Sequence, residues 1–201
     1  MLIIDLILAR PWEAVAVVLG IAYVVLAARE NIWCWPAALV STAIFSWLFW
    51  DVSLLMESAL NVYYLFMAVY GWWQWTRGSK DHSPQMIHSW GVKQHLISIS
   101  LILVFTIVSG MLLSRYTQAA LPFLDSLTTW AAVVTTYMVT RKVLENWLYW
   151  VAIDAVSVYL YLDRELYMTC ALFIGYSIVA IYGWYSWKRI FNDTLSNDTP
   201  D

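Results

Sequence analysis

Seven long apolar runs, separated by short polar breaks, leave this chain few folds to choose from. They cover roughly residues 11–28, 33–50, 53–75, 95–114, 126–140, 147–162 and 166–187. A run of ~20 mostly apolar residues spans a bilayer as a helix. The composition agrees, with 62% of the 201 residues hydrophobic and 12% charged. A soluble domain carries ~45–50% and ~25%. The expected fold class is an all-α membrane protein with seven transmembrane helices. Little chain is left for a separate soluble catalytic domain. The net charge of −3 implies no nucleic-acid partner. Asp5 and Arg10 precede the first run, so the N-terminus does not read as a signal peptide. Cys34 and Cys170 fall in apolar runs and read as small buried hydrophobes rather than a disulfide.

The chain also repeats itself. YGWWQWTR, residues 70–77, and YGWYSWKR, residues 182–189, are two copies of one motif. A shift of 112 residues aligns 29–77 with 141–189 without a gap, and 16 of those 49 positions are identical. Among them are Arg29/Arg141, Trp35/Trp147, Asp51/Asp163, Leu60/Leu172, Tyr64/Tyr176 and Trp75/Trp187. Apolar residues match readily by chance, but coincident Arg, Asp, Gly and Trp pairs do not. Runs 1–3 therefore correspond to runs 5–7, and run 4 is left over. Three spans is an odd number, so directly fused copies would be inverted and one extra span restores the orientation. This predicts a 3+1+3 parallel repeat, a device of transporters whose sites lie near the midplane. The expected units are a first three-helix bundle over 1–78, a cytoplasmic linker over 79–94 and a linker helix over 95–114. A second bundle over 115–190 and a disordered tail over 191–201 follow.

Charge sets the expected orientation. The ends of runs 1, 3, 5 and 7 share one side, which holds Arg29, Arg77, Lys80, Lys93, Arg141, Lys142, Lys188 and Arg189. The other side holds Arg10, Arg115 and Arg164. The positive-inside bias puts the N-terminus outside and the C-terminus in the cytoplasm.

Ionisable groups at bilayer depth cost at least ~2.5–3.5 kcal/mol each and usually mark a site or pathway. Asp154 lies midway along run 6, and Glu57 lies about a turn into run 3. Glu57, Asn61 and Tyr64 share one helix face, as do Trp147, Trp150 and Asp154. Tyr176 is the repeat counterpart of Tyr64, and Thr42 that of Asp154. Thr128, in DSLTTW, reads mainly as part of a helix cap and is a candidate pore residue. Trp72, Trp73, Trp75, Trp184 and Trp187 read as interface-belt residues. His82, His88 and His95 read as solvated loop histidines whose spacing suits no common metal site. Tryptophan faces attract flat cations, and a buried carboxylate accepts from cationic or hydroxyl donors. The expected ligand is a small, flat, positively charged heterocycle with polar arms. Two other classes fit less of the pattern. One is a scaffold with purely structural tryptophans. The other is a membrane enzyme using Glu57 and Asp154 as acid and base, against which the repeat argues.

The segment TRKVLENWLYWVAIDAVSVYLY, residues 140–161, with YGWWQW and YGWYSW closing each half, resembles the Pnu family of vitamin transporters. The resemblance runs from about residue 12 to 190. It implies a SWEET-like 3+1+3 fold and a homotrimer in the bacterial inner membrane. It also implies facilitated diffusion of nicotinamide riboside or thiamine, with trapping by a cytosolic kinase and without a cofactor or metal. Trp147, Trp150 and Asp154 map onto the family's binding motif, with Asn61 and Glu57 on the facing helix of the other half. Asp154 stands where some riboside carriers have Asn, and an acid there fits thiamine as well.

Overall fold

The computed structural model describes residues 11–51, 55–77, 85–117, 121–163, 165 and 167–197, without the side chains of 49, 55–57, 59, 168 and 197. Among the described residues there are seven helices and no strand of any length. They are α1 (Pro11–Ala28), α2 (Cys34–Asp51), α3 (Leu55–Arg77), α4 (Val92–Tyr116), α5 (Pro122–Thr140), α6 (Asn146–Asp163) and α7 (Tyr167–Asn197). By length and composition α1, α4 and the Thr169–Ser196 stretch of α7 can each cross a membrane, and Cys34–Leu48 is a shorter apolar helix. Two compact units are present, Met1–Gln85 with α1–α3 and Met86–Asp201 with α4–α7. The linker helix α4 thus packs with the second unit.

In the first unit α2 packs on both α1 and α3. Small residues allow close approach and hydroxyls bond across, as expected where apolar burial drives no helix association. Ser41 Oγ donates to the Ala16 carbonyl at 2.8 Å. Ser58 Oγ donates to the Ser46 carbonyl at 2.8 Å. In the second unit α4 packs on α5, α5 on α6 and α6 on α7. α4 buries Ser98, Ile102, Thr106 and Gly110, one residue per turn, and exposes Leu96, Leu103, Phe105, Val108 and Leu112. Small and polar inward, large and apolar outward is the pattern of a helix bathed in lipid. The chain is a multi-pass membrane protein. Phe105 stacks on Trp130 with ring centres 4.6 Å apart, and Trp130 Nε1 donates to Ser109 Oγ at 2.8 Å.

Inside each unit the same local structures recur at the 112-residue offset. α2 spans 34–51 and α6 spans 146–163, and α3 and α7 begin at 55 and 167. The turn before each central helix has a left-handed residue, Glu30 at φ 55° and Lys142 at φ 53°. Around it Asn31 N bonds Leu26 O at 2.9 Å and Glu30 N bonds Ala27 O at 2.9 Å. The counterparts are Val143 N to Met138 O and Lys142 N to Val139 O, both 3.0 Å. These 6→1 and 5→2 bonds are a Schellman stop. The tryptophan that follows closes the unit. Trp35 stands edge-on to Trp75 at 5.3 Å and 89°, and Trp147 to Trp187 at 5.5 Å and 86°. Each indole lies flat against a glycine, Gly71 or Gly183, where an added Cβ would sit 2.4 or 2.6 Å from the ring. Even the Ser58 bond has a counterpart, because Cys170 Sγ donates to the Val158 carbonyl at 3.7 Å. We expect Cys170→Ser to fold normally, with stability changed by less than about 1 kcal/mol, as read by the thermal midpoint in detergent. The serine hydroxyl already works at the equivalent position.

Two expectations change. The polar end expected as a disordered tail from 191 is helical through Asn197. Thr194 Oγ1 bonds Ile190 O at 2.9 Å, Ser196 Oγ bonds Asp193 O at 2.9 Å, and Arg189 approaches Asp193 at 4.0 Å. These i−3, i−4 and i,i+4 contacts let a polar segment continue a helix. Nor are the histidines merely solvated. His88 forms a parallel bridge with Val143, and His95 lies within α4 and shares a 2.9 Å hydrogen bond with Tyr149 Oη. His82 lies outside the described residues.

Candidate functional site

Asp154 is the acid around which the candidate site is built. It sits midway along α6 and is 3% exposed. Its helix packs on α7, where Ser177 makes a hydrogen bond to its side chain and Tyr176 lies within electrostatic reach. A carboxylate offers about four lone-pair sites. One hydroxyl donor fills one of them, so Asp154 keeps capacity to accept from a ligand. Phe173 meets Tyr176 edge-on at 5.9 Å and stacks on Tyr161 at 5.2 Å. The acid therefore has an aromatic neighbourhood on α7 as well as on its own helix.

The repeat counterparts show that this chemistry belongs to one half. Thr42, opposite Asp154 in the alignment, bonds its own helix through Ala38 O at 2.8 Å and Leu39 O at 3.3 Å. Leu65 stands where Ser177 does. The duplication preserved the scaffold, and the polar pair occurs in the second copy.

The other predicted residues take different places. Trp147 is 2% exposed and packed in the Gly183–Trp187 clasp. Its indole Nε1 is buried without a hydrogen-bond partner, as is that of Trp35. Its ring is taken up by Gly183 and Trp187 and presents no free face. Trp150 is half-buried and packs against the Ile102, Ala131 and Ile153 cluster. Thr128 Oγ1 bonds back to Leu124 O at 3.1 Å and Asp125 O at 3.0 Å, consistent with its helix-start position. It also lines an apolar groove of about 560 Å³ between α4, α5 and α6, with Leu127, Leu148 and Ile153. Asp154 does not line that groove.

In the first unit Asn61 and Tyr64 are half-buried on α3. The Tyr64 ring is tilted against Tyr63 at 5.6 Å, and Tyr23 of α1 lies within electrostatic reach of both. Glu57 belongs to α3, and its side chain is outside the described residues. Ser177 was missed by sequence reasoning. A serine in an apolar helix reads as a packing residue, and only the α6–α7 register brings it to Asp154. The repeat gave the one usable signal, since a serine replaces a leucine opposite a threonine-to-aspartate change.

Comparison with known proteins gives a consistent match. The family model described as nicotinamide mononucleotide transporter matches residues 10–189. The nicotinamide riboside transporter PnuC of Escherichia coli (strain K12) is 26% identical over 200 residues, covering 87% of this chain and 84% of that protein. The riboflavin/roseoflavin transporter RibM of Streptomyces davaonensis is 22% identical over 180 residues, covering 87% and 83%. A crystal structure of the vitamin B3 transporter PnuC superposes with a TM-score of 0.71 at 20% identity, covering 94% of this chain and 86% of that one.

Proposed function

The chain belongs to the nicotinamide mononucleotide transporter family, and from that premise we propose that it carries nicotinamide riboside into the cell. The observation that carries this reading is the buried Asp154 on α6, hydrogen-bonded to Ser177, with Tyr176 of α7 within electrostatic reach and Trp150 one turn earlier on its own helix. Nicotinamide riboside is a pyridinium with a ribose. Asp154 balances the ring charge or accepts from the ribose hydroxyls. Trp150 stacks on the ring, and the unpaired Trp147 Nε1 donates to a carboxamide or hydroxyl oxygen. Tyr176 closes the site from α7.

Transport runs by facilitated diffusion with alternating access, and a cytosolic kinase traps the product by phosphorylation. The helices form a 3+1+3 parallel repeat, supported by the shared offset of α2/α6 and α3/α7 and by the twin clasps. The protein sits in the bacterial inner membrane as a homotrimer, N-terminus outside and C-terminus cytoplasmic, in keeping with eight of its eleven Lys and Arg falling on one side.

Thiamine is the second reading, favoured by one observation. An acid at 154, rather than an amide, suits a ligand whose cationic thiazolium has no hydroxyl-rich sugar beside it. Riboflavin, named for the Streptomyces relative, is neutral and makes no use of that charge.

The test is tryptophan-fluorescence titration of the detergent-purified protein with nicotinamide riboside, thiamine and riboflavin. Saturable quenching by nicotinamide riboside is expected, with most of its amplitude lost in Trp150→Phe. Quenching by thiamine alone would transfer the assignment to thiamine. Quenching by none of the three would refute a vitamin carrier of this class.

A further inference from the structure

Outside the site, a set of polar contacts in the second unit converges on Glu145, the residue just before α6. Its carboxylate accepts hydrogen bonds from Ser89 Oγ and, at 3.2 Å, from the Trp90 backbone N–H. His95 Nε2 of α4 stands 3.9 Å from the same carboxylate. The His95 ring is sandwiched, stacked on Tyr149 at 5.8 Å and 23° and tilted against Trp90 at 5.9 Å and 60°. The backbone adds two bonds, His88 N to Lys142 O at 3.1 Å and Leu144 N to His88 O at 2.8 Å. The short segment 86–91 is thereby laid across the turn that leads into α6.

Among the described residues this device has no copy in the first unit. The counterpart of Glu145 is Trp33, which is exposed, and that of Tyr149 is Ala37. The shared features already hold each turn, namely the Schellman bonds and the Trp–Gly clasp. The extra fastening occurs in the half that carries Asp154. A helix start held from one side by α7 and from the other by a strap has little freedom to rotate or slide. Trp150 and Asp154 follow that start within three turns, so its position sets theirs.

We propose that Glu145 is a positioning residue, holding segment 86–91 as a strap across the start of α6 so that Trp150 and Asp154 are presented to the substrate in fixed register. It touches no substrate itself. The inference rests on the function proposed above. In a bound site, small displacements of an oriented group cost affinity steeply.

The experiment uses the full chain in detergent. Glu145→Gln keeps size and one acceptor oxygen but loses the charge facing His95 and sets an amide donor against the Trp90 N–H. Ser89→Ala is the milder companion, since it removes one donor and leaves Glu145 in place. Nicotinamide riboside is titrated by tryptophan quenching, and amide hydrogen exchange is followed over 142–150 and over the counterpart 30–38. Glu145→Gln is expected to raise Kd about tenfold, with the maximal quench unchanged. Ser89→Ala is expected to raise it less, and the two together by less than the product of the separate effects. Exchange should accelerate over 142–150 and not over 30–38. Wild-type Kd in both variants, despite faster exchange, would overturn the proposal and leave the strap a passive fastening. A wild type that binds none of the vitamins would instead refute the proposed function and remove this inference with it.

Discussion

Asp154→Ala is expected to raise the Kd for nicotinamide riboside about a hundredfold or more while leaving the folded protein as stable as before or more so. The two halves of that expectation have one cause. A buried carboxylate costs several kcal/mol in desolvation, of which Ser177 recovers part. Removing it relieves that cost in the empty protein. In the complex the same change strands the ligand's charge or hydroxyls, and truncating one member of a buried charged pair costs ~2–5 kcal/mol. A scaffold protein with a structural Asp154 would behave the opposite way, losing stability and having no ligand to lose. Asp154→Asn separates charge from hydrogen bonding. If it retains most of the affinity, the carboxylate acts as an acceptor for the ribose. If it behaves like alanine, the carboxylate acts as a counter-ion. Fluorescence titration and the thermal midpoint, measured on the same samples, read both halves.

Gly71→Ala and Gly183→Ala are each expected to destabilise the protein by more than about 2 kcal/mol, and Gly175→Ala to do nothing or stabilise slightly. At 71 and 183 a methyl group would lie 2.4 and 2.6 Å from the indole of Trp35 and Trp147. Those rings cannot retreat, because each is buried and stands edge-on to a second tryptophan. The helices would have to separate, and overpacking of this kind costs ~1–3 kcal/mol even in soluble cores. Gly175 is a helical glycine with nothing within 4 Å of an added Cβ. There alanine brings only its better helix propensity, ~0.5–1 kcal/mol. Thermal midpoints of the three variants in one detergent check the ordering. The result also bears on the repeat, because equal losses at 71 and 183 mean that the two clasps carry equal weight.

The repeat was the most legible part of this chain. A gapless 112-residue offset paired run 2 with run 6, and α2 and α6 carry the identical Trp35/Trp147 and Asp51/Asp163 at corresponding positions near their two ends. Burial of Asp154 was legible too, since a lone acid amid apolar residues has few other places to go. The environment of Trp147 was not. Its spacing put it on the Asp154 face, where it is, but the same face also meets α7, and Gly183 takes the ring. The glycine-tryptophan pair in both copies was visible, yet its meaning depends on α6 lying against α7. Ser177, Glu145 and His95 were obscured for the same reason, as their partners lie 23 to 56 residues away in sequence. The end of α7 was misjudged because polarity signals exposure, whereas Arg189, Asp193, Thr194 and Ser196 are spaced to stabilise an exposed helix.

Passive carriage of nicotinamide riboside is measured as uptake of the radiolabelled compound into proteoliposomes without ATP or an ion gradient. Saturable uptake is expected that stops at equal concentrations on both sides, speeds exchange of preloaded substrate and is lost with Asp154→Ala. Uptake no faster than in protein-free liposomes, or accumulation above equilibrium that requires a gradient, would contradict it.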